Sequence, residues 1–208
     1  DSQNPSIGCP GNITRNTDLN QCSAVVTYPA PTFTDNCPGA YLTLTSPPGT
    51  ASGSQFPVGI TMVNWKATDA SGREAVCGFM VTVNDQQNPS ITCPANIIKA
   101  TDPNLCSAVV TYPTPISSDN CAVASTSLSS APSTASGSAF NKGVNTVSWK
   151  ATDGSGNMAV CNFTVTVTDG QAPAITCPLN LTKNTDPGLC TAVVAYATPT
   201  ASDNCMPP

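Results

Sequence analysis

The cysteines fall on a fixed ruler, and no other feature constrains the fold as much. They stand at 9, 22, 37 and 77, then 93, 106, 121 and 161, then 177, 190 and 205, so each recurs after 84 residues without insertion or deletion. The third set lacks a fourth member, whose place is 40 residues beyond Cys205, past Pro208. The aspartates keep the same register: Asp1, Asp85 and Asp169; Asp18, Asp102 and Asp186; Asp35, Asp119 and Asp203; Asp69 and Asp153. More than half of the first 84 positions are identical in the next 84, as in SAVVTYP at 23–29 and 107–113 or WKATD at 65–69 and 149–153. Self-similarity at one period means a small structural unit built repeatedly. The expected domains are modules at 1–84 and 85–168 and the N-terminal half of a third at 169–208. No signal peptide precedes Asp1 and the chain starts on a repeat boundary, so it is expected to be a mature or excised piece of a longer protein.

A unit of this size has a marginal core on its own, and disulfides or neighbouring units would help it. Its local pattern is strand after strand. Ala24, Val26 and Tyr28 alternate with Ser23, Val25 and Thr27; Val63, Trp65 and Ala67 alternate with Asn64, Lys66 and Thr68; Cys77, Phe79, Val81 and Val83 alternate with Gly78, Met80 and Thr82. A period of two is the signature of a strand with one face buried. Turn chemistry separates these runs at Thr17-Asp18-Leu19-Asn20, Asp35-Asn36, Ala51-Ser52-Gly53 and Asp69-Ala70-Ser71-Gly72. No stretch keeps a 3.6-residue period with caps. The pattern predicts an all-β chain of tandem immunoglobulin-like antiparallel β-sandwich modules with intradomain disulfides. The short linker Asn84-Asp85-Gln86-Gln87-Asn88-Pro89 is stiffened by proline, and the modules are expected to stack as a semi-rigid rod.

Charge and composition remove several functions. Seven Lys+Arg against twelve Asp+Glu leave a net charge of -5, so no basic footprint for nucleic acid is present. No apolar run reaches the ~18 residues of a spanning helix. There is no histidine, hence neither the commonest general base nor the commonest zinc ligand. No G-x-S-x-G elbow or Gly-rich phosphate loop occurs, and Glu74, the sole glutamate, is replaced by Met158 in the second copy. The chain is expected not to be an enzyme. Many cysteines with few charges place it in an oxidising compartment, extracellular, secreted or at the cell surface. Zinc thiolate chemistry is disfavoured, because no C-x2-4-C knuckle occurs.

The order I-x-C-P-x-N-I, T-D-x-x-x-C-x-A-x-V-x-Y, D-N-C, S-G-S-x-F, W-K-A-T-D-x-S-G and C-x-F-x-V-T-V is met at 91–97, 101–112, 119–121, 136–140, 149–156 and 161–167. It resembles the hyalin repeat (HYR) module, over both full copies and the start of the third. The resemblance implies an immunoglobulin-like extracellular module for adhesion and matrix assembly, commonly in long arrays.

Four cysteines per module allow three pairings. Strand directions favour Cys37–Cys77 and Cys121–Cys161, with Cys9–Cys22, Cys93–Cys106 and Cys177–Cys190 closing first hairpins and Cys205 unpaired in this chain. The rival is Cys22–Cys77 with Cys9–Cys37, the cross-sheet bridge of antibody domains.

The aspartates offer a metal site. Asp18 and Asp85 belong at the far end of module one, Asp119 and Asp153 at the near end of module two, so hard oxygens would converge on the junction as Ca2+ requires. Asp102, Asp169 and Asp203 repeat the set. Against this, aspartates at turns ordinarily bond their own backbone. No other cofactor is expected. Sequons at Asn12, Asn162 and Asn180 are candidate glycosylation sites, and the hydroxyl-rich stretch 125–134 resembles O-glycosylated segments. Trp65 and Trp149 are in phase with core positions. Two functions remain. One is a structural and adhesive array, a segment of a longer surface or matrix fibre that associates with itself or with neighbouring modules. The other is an adhesin or carbohydrate-binding module recognising a glycan or surface protein through its loops, with 39–62 the most divergent stretch between copies.

Overall fold

The computed structural model describes residues 2–205; Asp1 and residues 206–208 lie outside the description. The first repeat runs β1 (Ser6–Gly8), β2 (Ile13–Asn16), β3 (Ser23–Val26), β4 (Thr32–Thr34), β5 (Tyr41–Leu44), β6 (Ser54–Pro57), β7 (Gly59–Thr68) and β8 (Glu74–Asn84). The second runs β9 (Ser90–Thr92), β10 (Ile97–Ala100), β11 (Ser107–Val110), β12 (Ile116–Ser118), β13 (Val123–Leu128), β14 (Ser138–Asn141), β15 (Gly143–Asp153) and β16 (Met158–Thr168). Two short strands, β17 (Ala174–Thr176) and β18 (Thr200–Ser202), pair in the third. The other regular element among the described residues is one 3-10 turn, Pro132–Thr134, and no helix is long and apolar enough to cross a membrane. The all-β expectation holds.

Each full repeat has a four-stranded sheet, in the order β2-β8-β7-β5 or β10-β16-β15-β13, and two-stranded pairs, β3-β6 and β1-β4 or β11-β14 and β12-β9. The long hairpin of β7 and β8 supplies the frame, pairing from Gly59↔Val83 to Thr68↔Glu74. Its turn is closed by Asp69, whose Oδ1 accepts the backbone N–H groups of Ser71 and Arg73, and by Gly72 at a φ of 83°. The alternation read from the sequence is the burial pattern. Ala24, Val26, Phe56, Val63, Phe79, Val81 and Val83 form the first core, each no more than 3% exposed, with Trp65 packed against it. Tyr28 meets Phe79 edge to face at 5.0 Å and donates its hydroxyl proton to the Thr50 carbonyl. The second core repeats this arrangement, with Tyr112 on Phe163 at 4.9 Å and Trp149 in the place of Trp65.

One strand departs from the antiparallel expectation. After β1 pairs with β4, the chain passes through Cys9-Pro10-Gly11 and changes sheet, so that β2 lies parallel to β8 with Ile13 opposite Val81. Proline, with a fixed φ and no N–H to donate, suits such a crossing. That register decides the first disulfide. Cys9 stands four residues before Ile13 and Cys77 four before Val81, and they are bonded with Cα atoms 5.7 Å apart. β10 runs parallel to β16 in the same way, and Cys93 is bonded to Cys161.

The expected pairing is therefore corrected throughout. Cys9–Cys22 and Cys93–Cys106 do not form, because β2 and β3 belong to different sheets and the hairpin those bonds would close does not exist. Cys37–Cys77 and Cys121–Cys161 do not form, because Cys77 and Cys161 are taken by Cys9 and Cys93. The antibody-like rival fails for the same reason. Cys22 is bonded instead to Cys121, and Cys106 to Cys205, so Cys205 is not an orphan. Cys177–Cys190 also does not form; the free thiols are Cys37, Cys177 and Cys190.

The chain divides into two compact units that do not follow the period. The first holds Asp1–Thr92, Ile116–Ser127 and Lys150–Val160, and the second holds Cys93–Pro115, Leu128–Trp149 and Cys161–Pro208. The first unit thus contains the first core together with the leading loops of the second repeat.

Candidate functional site: the junction between successive repeats

Within the first unit, the end of one repeat is bonded to the beginning of the next. Two local signals build each half. The turn at Asp18 closes with its Oδ2 accepting from Val25 N–H at 2.9 Å, which orients the Cys22 corner just before β3. The D-N-C triplet at 119–121 turns tightly, with Asp119 Oδ2 accepting from Cys121 N–H at 3.1 Å, which presents Asn120 and Cys121 together. Cys121 then bonds Cys22. Asn120 Nδ2 donates to the Gln21 carbonyl at 2.9 Å and to Asp85 Oδ1 at 3.2 Å. Asn157 Nδ2 donates to Asp153 Oδ2 at 2.8 Å and to the Asp85 carbonyl at 3.1 Å. Gln87 fastens the linker, donating through Nε2 to Thr17 Oγ1 and to the Asp18 carbonyl.

The second unit repeats the arrangement one period later. Cys205 bonds Cys106, and Asn204 Nδ2 donates to the Leu105 carbonyl at 2.7 Å. The acceptor is a backbone carbonyl in both copies, so the change from Gln21 to Leu105 leaves the contact intact.

The aspartates expected to converge divide into two groups. Asp85 and Asp119 do come together, with Cys121, their ligand atoms all within 4.8 Å of one another. Asp18 and Asp153 commit oxygens to their own turns, Asp153 Oδ1 accepting from Ser155 and Asn157 N–H. Asp102 accepts from Val109 N–H and pairs with Lys99 at 3.2 Å. Asp169 accepts from Gln171 N–H and pairs with Lys142 at 3.1 Å, and Asp203 Oδ1 accepts from Asn204 N–H.

These contacts set the titration of three carboxyls. At Asp102 the Val109 N–H and then Lys99 hold the carboxyl below its ordinary value. At Asp169 the Gln171 N–H and then Lys142 do the same. Burial pushes the Asp153 carboxyl up, but the Asn157 side chain and the backbone N–H groups of Asn157, Ser155 and Gly156 outweigh it, and the net shift is downward.

All three sequon asparagines are exposed. Asn162 lies next to buried Phe163 on β16 and faces outward, while Asn12 Oδ1 accepts from Met80 N–H at 2.9 Å.

The sequence reading missed the junction disulfide and the bridging roles of Asn120, Asn157 and Lys142. A signal was present. Cys22 follows Asp18 by four residues and Cys121 follows Asp119 by two, so a junction that gathers the aspartates also brings those cysteines to it.

Comparison with known proteins places this architecture. The model of the HYR domain matches residues 1–83 and again 84–167. Hyalin of Strongylocentrotus purpuratus is 35% identical over 210 residues, covering 98% of this chain and 17% of that protein. The sushi, von Willebrand factor type A, EGF and pentraxin domain-containing protein 1 of Rattus norvegicus is 30% identical over 185 residues, covering 86% of this chain and 5% of that protein. The chain thus spans less than a fifth of the length of either relative. Among solved structures, protocadherin gamma B2 extracellular cadherin domains 1–5 align with a TM-score of 0.39 at 14% identity, over 81% of this chain and 41% of that one. Two successive matches to one family model, in phase with the cysteine period, show that the chain belongs to the HYR domain family.

Proposed function

We propose that the chain is a segment of an extracellular, non-enzymatic, adhesion-type array whose successive HYR modules are tied to one another covalently. One observation carries this reading. Cys22–Cys121 and Cys106–Cys205 have the same sequence separation of 99 residues, which is one period plus the distance from position 22 to position 37. A bond with that offset belongs to the array and not to the module. By the same offsets Cys37 takes a position-22 cysteine, and Cys190 a position-37 cysteine, from further HYR modules, and Cys177 takes a position-77 cysteine. A reactive-thiol role is then unnecessary. Disulfides of this kind suit an oxidising exterior, and the exposed Asn12, Asn162 and Asn180 suit N-glycans on an exported chain.

Non-reducing peptide mapping of the native parent protein tests the array. Cross-linked peptides at the 99-residue offset between every successive pair of modules are expected, and pairs confined within single modules would sink the idea. Adhesion has its own test: beads coated with the oxidised chain are expected to cluster, and dispersed beads remove that part of the proposal.

A second reading has one observation behind it. A hollow of about 470 Å³ lined by Pro47, Phe56, Ile60 and Met62 lies in the stretch where the repeats diverge, and Ile60 is 70% exposed. Recognition of a protein or glycan there predicts saturable binding that an Ile60→Ser variant abolishes; binding indifferent to that variant removes it.

A further inference from the structure

The two junctions differ at one charged position. In the second unit Lys142, between β14 and β15, places its ammonium 3.1 Å from Asp169 Oδ2. The counterpart of Lys142 one period earlier is Val58, and the counterpart of Asp169 is Asp85. Val58 packs against the first core and offers no charge.

Asp85 nevertheless keeps the geometry of a carboxylate that expects a cation. It is 6% exposed, and its Oδ1 accepts from Gln87 N–H at 3.1 Å, from Asn120 Nδ2 at 3.2 Å and from Thr17 Oγ1 at 3.4 Å. Its Oδ2 is buried with no hydrogen-bond partner, and among the described residues no lysine or arginine pairs with it. In the other copy the corresponding oxygen holds the lysine. A carboxylate this deeply buried is costly without a counter-charge.

The surroundings specify the kind of cation. The Asp119 carboxylate lies within 4.8 Å of Asp85, so two negative charges face one place. Asn120 Oδ1, on the same loop, is also buried without a partner, as is Asn204 Oδ1 in the other copy, so the two carboxylates alone distinguish this place. Cys121 Sγ is bonded to Cys22 and supplies no thiolate, which leaves a hard, all-oxygen donor set. Beside it an open hollow of about 310 Å³, lined by Asn20, Gln87, Asn88, Ser90 and Ser118 as well as Asp119 and Asn120, has room for the waters that complete a shell of six to eight oxygens.

We propose that Asp85 and Asp119 hold a divalent cation of the calcium class at the first junction, and that Lys142 replaces that ion at the second. The chain thus carries two ways of neutralising the carboxylate at one repeat position, a metal where position 58 is apolar and an ammonium where its counterpart is Lys142. The site goes beyond the disulfide-linked array and does not depend on its adhesive role.

The experiment is calorimetric titration of the oxidised, full 208-residue chain with CaCl2, with melting temperature followed in Ca2+ and in EDTA. One equivalent is expected to bind, with Kd of about 10⁻⁴–10⁻³ M as in extracellular modules, and to raise the melting temperature. Val58→Lys is expected to abolish both effects, and Lys142→Val to add a second equivalent. If Val58→Lys does not fold, Asp119→Asn carries the test, with loss of Ca2+ binding expected. Absence of saturable binding, binding that survives Val58→Lys or Asp119→Asn, or a Lys142→Val chain that gains no second site would each overturn the proposal. Non-reducing peptide maps of the same samples show separately whether Cys22–Cys121 is intact, so failure of the metal site and failure of the linked junction are distinguishable.

Discussion

The carboxyls of Asp102, Asp153 and Asp169 lie below their ordinary value because each accepts hydrogen bonds as an anion. In the unfolded chain they return to about 3.9. A folded value below the unfolded one contributes stability that is complete above the unfolded pKa and is lost as pH falls through the folded one. The melting temperature is therefore expected to be flat from neutrality to about pH 5 and to fall below about pH 4. Asp169→Asn, which still offers an oxygen to Gln171 N–H, is expected to flatten part of that acid limb. Thermal melts across pH check this, and a limb unchanged in the variant refutes the assignment. At the alkaline end the order reverses. Burial raises the phenol pKa values of Tyr28 and Tyr112, against smaller opposing hydrogen bonds. Their contribution is complete below the unfolded pKa of about 10 and is lost as pH rises through the higher folded values. Tyr28→Phe is expected to lose the bond to the Thr50 carbonyl, at a cost of about 1 kcal/mol, and to soften the alkaline limb.

Between elements, packing and register carry separate information. Phe56 is fully buried where β6 pairs with β3, so Phe56→Ala is expected to destabilise the first core by about 3–5 kcal/mol in chemical denaturation. β2 is anchored at its start by a side chain. Asn12 Oδ1 accepts from Met80 N–H just ahead of the parallel pairing, and Asn96 serves Thr164 identically. Asn12→Ala is expected to cost about 1 kcal/mol and to speed hydrogen exchange at Met80, whereas unchanged exchange there would remove the role. The strands that could be read from the sequence were those whose own side chains record burial: β3, β7 and β8 alternate, and Ala24, Val63 and Val81 are where alternation puts them. The parallel seat of β2 could not be read that way. Ile13-Thr14-Arg15-Asn16 has no long alternation, and a strand's neighbour is fixed by the sheet that has an edge open to it. Because Cys9–Cys77 inherits that register, mistaking β2 for half of a hairpin misassigned the disulfide too.

At the scale of the whole chain, the period was legible and the bonds across it were not, for one reason. Counting four cysteines per 84 residues suggests closing the account within each repeat, yet bonds running from one repeat to the next leave Cys37 and Cys190 without partners in this chain. Cys22 and Cys121 are joined over 99 residues, and a cross-link closing so long a loop restricts the unfolded chain by up to about 4–5 kcal/mol in the entropic description. The paired variant Cys22→Ser with Cys121→Ser is expected to unfold at lower denaturant and to raise exchange at 118–122, where the D-N-C loop would be held by Asn120 alone. Cys9→Ser with Cys77→Ser removes a bond that closes a shorter loop, with a sequence separation of 68 residues, but pins β2 beside the core. It is expected to raise exchange along 13–16 and to leave 118–122 protected. Measuring both variants separates a bond that serves the module from one that serves the array. If Cys22→Ser with Cys121→Ser leaves 118–122 as protected as in the parent, the hydrogen bonds of Asn120 and Asn157 hold the junction without it, and the 99-residue bond is a consequence of the docking geometry instead of its support.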